Sequence, residues 1–107
     1  MAVQVLIRRK VVEGNIKEVA SLMVELRSLA RAQSGYMSSE SLRCIDPSGD
    51  DEYLIRSTWQ SIDRWKTWLH SEERSIIQQK IDDITGKKTE YKVYEALVGG
   101  IFPKPID

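Results

Sequence analysis

Val3, Val5 and Ile7 alternate with Gln4, Leu6 and Arg8 near the start of the chain. That period of two predicts a strand. Gly14-Asn15 breaks the alternation and opens a helix, with Asn15 as its expected cap. Ile16, Val19, Ala20, Met23, Leu26 and Ala30 then recur at spacings of one, three and four, the stripe of an amphipathic helix that ends at Ser34-Gly35. Tyr36, Ser38, Glu40, Leu42 and Cys44 alternate with Met37, Ser39, Ser41, Arg43 and Ile45 in a more polar second strand. Asp46-Pro47-Ser48-Gly49-Asp50-Asp51 is a turn by composition, because proline fixes φ and glycine accepts positive φ. Glu52 to Trp59 is rich in strand formers, so Tyr36 to Trp59 reads as one long hairpin.

Ser61 is a good N-cap for a helix carrying Ile62, Trp65, Trp68 and Leu69. A restart at Ser71 would place Glu72 and Glu73 in a first turn, near the positive end of the helix dipole. Ile76, Ile77, Ile81 and Ile84 continue the apolar face until Gly86, a natural C-terminal stop. Thr89, Tyr91, Val93, Glu95 and Leu97 alternate with Glu90, Lys92, Tyr94 and Ala96 in a fourth strand. The order βαββαβ predicts an α+β ferredoxin-like plait, a four-stranded antiparallel sheet with two helices on one face. Residues 1–97 form the domain, and 98–107 form a partly apolar tail expected to pack at a subunit interface. Leu6, Met37 and Leu54 are candidates for apolar surface on the other sheet face, where a second copy is the simplest cover. A homodimer joined through its sheets is therefore expected.

Composition narrows the functional classes. The chain has 107 residues, 16 basic and 16 acidic, with the signs interspersed. A nucleic-acid partner is not expected without a basic surplus, and Glu52 to Trp59 lacks the basic-Gly-aromatic pattern of RNA-recognition plaits. The single cysteine, Cys44, and single histidine, His70, leave neither an internal disulfide nor a Cys/His metal cluster. There is no basic lead before an apolar run at the N-terminus, and no run long enough to span a bilayer. A cytoplasmic protein without a membrane partner is the expectation.

All three tryptophans, Trp59, Trp65 and Trp68, lie within ten residues, and His70 follows them. Large aromatics anchor cores, pockets or interfaces. Trp59 closes the third strand and reads either as a pocket wall or as a wedge between sheet and helix. Trp65 and Trp68 are three apart on one helix face, which suits a core stripe, with Trp65 also a candidate for substrate contact. His70 is the candidate general base, since its unperturbed pKa lies near neutrality; the bland alternative is an exposed residue at a helix kink. Arg8, Arg9 and Arg56 are candidates to hold an anionic or enolate group. Arg9 shares its side of the first strand with Ile7. Tyr36, Tyr53, Tyr91 and Tyr94 are candidate cavity hydroxyls or half-buried strand pairs. Cys44 has only Arg43 beside it, on the opposite face, so a reactive thiolate is not expected.

Ser34-Gly35-Tyr36, Arg56-Ser57-Thr58-Trp59-Gln60-Ser61 and Lys92-Val93-Tyr94-Glu95, in this element order, resemble the antibiotic biosynthesis monooxygenase domain family over Val3 to Leu97. The resemblance implies a dimeric ferredoxin-like protein. Within the family it implies either a cofactor-free oxygenase of phenolic, quinol or polyketide-like rings, or a small haem-degrading oxygenase. Trp68-Leu69 resembles the haem-degrading branch. That branch uses a first-strand asparagine and an axial histidine, at positions that fall near Ile7 and Gln78 here. Neither residue matches, and glutamine is a poor iron ligand beside imidazole. His70 lies about two helical turns before the ligand position. The first reading is thus a monooxygenase without metal, flavin or haem, binding an aromatic ligand at Ile7, Trp59, Trp65 and Gln78, with Arg9 and His70 as catalytic candidates. Haem binding with altered ligation, and a non-enzymatic ligand-binding or interaction module, are the alternatives.

Overall fold

The computed structural model describes residues 2–47 and 51–97. Residues 48–50, the centre of the predicted turn Asp46 to Asp51, and the tail 98–107 lie outside the described residues. The elements are β1 (Val3–Lys10), α1 (Ile16–Arg31), β2 (Tyr36–Arg43), β3 (Glu52–Trp59), α2 (Ile62–Leu69), α3 (Glu72–Thr85) and β4 (Glu90–Glu95), with one 3-10 turn at Glu13–Asn15 before α1. The sheet runs β2-β3-β1-β4, with every neighbouring pair antiparallel. This is the ferredoxin-like α+β plait. Its second helix is cut in two, so three helices cover the sheet.

The alternation along β1 sorts the molecule into layers. Val3, Val5, Ile7 and Arg9 are buried, whereas Gln4, Arg8 and Lys10 are exposed. Cross-strand register pairs Val3 with Trp59, Val5 with Ser57 and Ile7 with Ile55 on β3, and Ile7 with Tyr91 on β4. These residues form the face that meets the helices. Val19 and Leu26 of α1, Trp65 and Trp68 of α2, and Ile77 and Ile81 of α3 complete the core.

Helix ends follow short side chains. Ser61 Oγ accepts from the Arg64 N–H at 3.2 Å, and Ser71 Oγ accepts from the Arg74 N–H at 3.3 Å. Ser71 also donates its hydroxyl to the Trp68 carbonyl at 2.8 Å, so one residue stops α2 and starts α3. Asn15 occupies the cap position of α1 but makes no side-chain cap. Its amide instead donates to the Ile84 carbonyl at 3.3 Å, joining the start of α1 to the end of α3. The outer strands are shorter than the alternation suggests, since β2 stops at Arg43 and β4 spans Glu90–Glu95.

A register shift between Tyr36 and Ser38 changes β2 more deeply. Strict alternation groups Tyr36 with Ser38. The irregularity adds a residue, so Tyr36, opposite Trp59, shares the helix-facing side with Ser39, opposite Ser57. The Tyr36 hydroxyl and Ser39 Oγ are 2.7 Å apart.

Gly35 sets the entry to β2. Its φ is +91°, and a Cβ there would lie 2.5 Å from both Cβ and Cγ of Arg64. These are near-backbone atoms of α2 that cannot swing away. The Gly35 carbonyl meanwhile accepts from the Gln60 N–H at 2.8 Å. Gly86 has φ +67° with open space around it. Gly35→Ala is expected to cost about 2–4 kcal/mol, combining left-handed strain with overpacking. Gly86→Ala is expected to cost only about 1 kcal/mol. Urea denaturation of the two variants checks the difference, and equal losses would show that the contact with Arg64 does not constrain the turn.

Candidate functional site

A cavity of about 250 Å³ lies between the helix-facing side of the sheet and the three helices. Its wall is mostly apolar, with Ile7 and Ile55 as floor and Met23, Leu26 and Ala30 of α1 as one side. Val24 is 68 % exposed yet borders it. With the exposed Arg27 and Ser41, Val24 marks a mouth between α1 and β2.

The three tryptophans all reach this cavity. Trp59 is held at the last residue of β3, 1 % exposed, and donates from Nε1 to Ser57 Oγ at 3.2 Å. The Tyr36 ring meets it edge-on, with centroids 5.5 Å apart. Trp65 lies 6.0 Å from Trp59 on the other side and 5.8 Å from Tyr91. Aromatic pairs at such distances and tilts are favourable beyond their area burial. The tryptophans are core residues and wall residues at once, and Trp65 and Trp68 do not close the space.

The polar end is built around Arg9, 4 % exposed near the end of β1. Its Nη1 donates to Gln78 Oε1 and to Thr89 Oγ1, both at 2.9 Å. Gln78 Nε2 donates in turn to Asp82 Oδ1 and Thr89 Oγ1, also at 2.9 Å. The Tyr91 hydroxyl donates to Gln78 Oε1 at 3.1 Å and accepts from Arg74 Nη1 at 2.8 Å. Arg74 is anchored further by Nε donating to the Leu69 carbonyl at 2.7 Å, and its guanidinium lies 5.5 Å from the Tyr91 ring centre. Burial lowers the pKa of Arg9, and the nearby Arg74 charge acts in the same direction, while Tyr91 and Asp82 oppose it. Arg9 Nε is buried without a partner among the described residues. Such an orphaned donor costs about 1–3 kcal/mol, more for a charged group.

Of the residues singled out in the sequence, Ile7, Arg9, Trp59 and Trp65 line the cavity. Gln78 is buried behind the wall and binds Arg9 and Tyr91 instead of facing a ligand. His70 is exposed at the end of α2, its backbone N–H bonded to the Lys66 carbonyl, and is not among the lining residues. Arg8 pairs with Glu90 and Arg56 with Glu40 on the opposite sheet face. Tyr36 and Tyr91 line the cavity, whereas Tyr53 and Tyr94 do not. Arg27 and Arg74 are the charged lining residues that sequence reasoning missed, and Arg74 is the one within the polar network. Its signal was its place four residues before Gln78, one turn along the same helix.

Haem does not suit this site. The lining residues offer neither an imidazole nor a thiolate, Gln78 is engaged elsewhere, and a porphyrin exceeds a 250 Å³ space. Among the described residues no group of three His, Cys, Asp or Glu is placed to hold a metal, and no helix is long and apolar enough to cross a membrane.

Comparison with known proteins agrees with the fold. The profile of the family described as antibiotic biosynthesis monooxygenase matches residues 2–80. No curated protein sequence matches. Among solved structures, SnoaB of Streptomyces nogalater, a cofactor-independent oxygenase, is 19% identical; the alignment covers 89% of this chain and 92% of that one, with a TM-score of 0.76. Rv0793 of Mycobacterium tuberculosis is 14% identical over 92% of this chain and 97% of its own, with a TM-score of 0.77. A conserved protein of Methanosarcina mazei Go1 is 15% identical over 88% and 91%, with a TM-score of 0.76.

Removing the Arg9 charge strands no acceptor, since Gln78 Oε1 keeps the Tyr91 donor and Thr89 Oγ1 keeps the Gln78 donor. Arg9→Met is therefore expected to change stability by less than about 1 kcal/mol, or to stabilise, because a buried charge is replaced by an apolar chain of similar length. Thermal unfolding checks this, and a loss of several kcal/mol would mean that the guanidinium holds the fold together.

Proposed function

The chain belongs to the antibiotic biosynthesis monooxygenase family, and from that premise we propose that it is a small monooxygenase acting without metal or flavin on an aromatic, quinol or polyketide-like ring. The observation that carries the reading is the preformed apolar cavity walled by Trp59, Trp65 and Trp68 and closed by the guanidinium groups of Arg9 and Arg74. The similarity to SnoaB, a cofactor-independent oxygenase, supports it at the level of fold.

The substrate supplies the electrons. An activated ring methylene, or its phenolic tautomer, loses a proton to give an enolate or phenolate that reduces O2. One oxygen atom becomes the new ring carbonyl and the other leaves as water, so CH2 plus O2 gives C=O plus H2O with four electrons drawn from the ring. Positive groups fixed where the anion forms stabilise it without reorganising, and an apolar wall keeps bulk water away. Among the described residues no imidazole or carboxylate lines the wall, so His70 is not assigned the role of base. Arg9 and Arg74 acidify the substrate, and the proton leaves through the mouth beside Arg27 and Ser41.

We place this activity in a cytoplasmic homodimer closed sheet against sheet. Half-buried Leu6 and Leu54, with exposed Leu42, lie on the face away from the helices, among the Arg8–Glu90 and Arg56–Glu40 ion pairs. Light scattering is expected to give twice the 12.3 kDa of one chain, and Leu54→Glu is expected to shift the protein to the monomer. A wild-type mass of one chain would remove the dimer.

An oxygen electrode with 1-naphthol and 1,3-dihydroxynaphthalene tests the chemistry. Uptake above the protein-free rate, with one atom of 18O2 in the quinone product, is expected. Trp59→Ala should lower kcat/KM about tenfold to a hundredfold by loosening the ring's placement. Background uptake throughout the panel would contradict the reading.

A further inference from the structure

The chain as a whole is neutral, with 16 basic and 16 acidic residues, but its cavity is not. Three arginines line it, Arg9, Arg27 and Arg74, and among the described residues no aspartate or glutamate does. The nearest acidic partner within the polar network is Asp82, which is reached only through the Gln78 amide. Glu73, one residue before Arg74, is turned away and accepts from Gln33 Nε2. The two deep guanidinium groups are therefore oriented by neutral acceptors: a glutamine and a threonine for Arg9, a tyrosine hydroxyl and a backbone carbonyl for Arg74. Buried charges are ordinarily paired with an opposite charge. Here the pairing is missing on the protein side.

The geometry of Arg9 sharpens this. Both of its hydrogen bonds leave from Nη1, so the Nε–Nη2 edge is unspent, and Nε has no partner among the described residues. That edge is a planar two-donor fork that matches the two oxygens of a carboxylate. Arg9 also lines ring-sized apolar space between Ile7 and Ile55 on the sheet and the tryptophans on β3 and α2. At the packing density of a protein interior about three-quarters of a cavity can be filled by atoms. A 250 Å³ space then suits one or two fused rings with substituents.

We propose that the ligand of this cavity is a planar aromatic carboxylate of one or two rings, its carboxylate paired with Arg9 and Arg74 and its ring packed against Trp59 and Trp65. The inference rests on the monooxygenase reading for the cavity being a substrate site, and it names the substrate class. The carboxylate supplies the missing counter-charge, gives the orphaned donor an acceptor and fixes which end of the ring enters first. A ring hydroxyl ortho to the carboxylate stays beside the same two guanidinium groups, which favour its ionisation.

Titration calorimetry at pH 7 with 3-hydroxy-2-naphthoate, 3-hydroxy-2-naphthamide and 2-naphthol tests the inference independently of turnover. The acid is expected to bind at least tenfold more tightly than the amide and the naphthol. Arg9→Met should remove most of that preference while leaving amide binding within a few-fold, and Arg74→Met should reduce it. Arg9→Lys, which keeps the charge without the fork, should restore part of it. Lys80→Gln, an exposed charge change on α3, should leave it intact. Equal binding of acid and amide, binding of neither, or a preference that survives in Arg9→Met would overturn the inference. Oxygen uptake measured on the same samples separates the two claims. Acid-selective binding without uptake would leave the ligand class standing and remove the oxygenase reading, whereas uptake from naphthol with no preference for the acid would do the reverse.

Discussion

Burial of the Arg9 guanidinium under α3 is the constraint that the polar half of this molecule answers to. An ion taken out of water must be hydrogen-bonded, or its desolvation is uncompensated. The sequence meets that need with neutral groups drawn from distant places, Gln78 from the middle of α3 and Thr89 just before β4. Those groups bring Tyr91 and Arg74 into the same network. The result gathers groups of α3 and β4 around one side chain of the first strand. It also leaves the charge hydrogen-bonded to no carboxylate among the described residues, a state suited to a group that waits for a ligand and poorly suited to a purely structural bridge.

The apolar half is governed by Trp59. It ends β3, meets Tyr36 edge-on and Trp65 at a tilt, and is followed two residues later by the serine that caps α2. Strand, helix start and cavity wall are thus fixed by one short segment. A wall of indoles is rigid and bulky, so it can keep a space open that aliphatic side chains would fill. The same residues that stabilise the core therefore maintain the cavity, which is why the division between core and site residues fails at Trp65 and Trp68.

Features of short range were legible in the sequence. The strand alternation of β1, the serine caps at Ser61 and Ser71 and the stop at Gly86 each depend on neighbours a few residues away, and each stands in the structure. The plait followed from their order. The bulge near Met37 was hidden, because it is defined by pairing with β3, and it moved Ser39 to the cavity side. Asn15 was misread because its amide finds an acceptor 69 residues away, at Ile84. The site was half visible: Arg9 and Trp59 stood out by face and by residue type. Arg74 did not, since its role comes from Tyr91 and from a helix break that turns its side chain toward the sheet. His70 drew attention for its chemistry, but the capped end of α2 leaves it in solvent.

The cavity is apolar in its walls yet positive at its end, two properties that act oppositely on an acidic probe. Desolvation alone raises the pKa of a bound phenol, while adjacent guanidinium groups lower it by about one to three units. A nitronaphthol whose absorbance reports its ionisation separates them in one titration of the bound and free probe. The account predicts a bound pKa at least about one unit below the free value, with the shift lost in Arg9→Met. A bound pKa at or above the free value would contradict it.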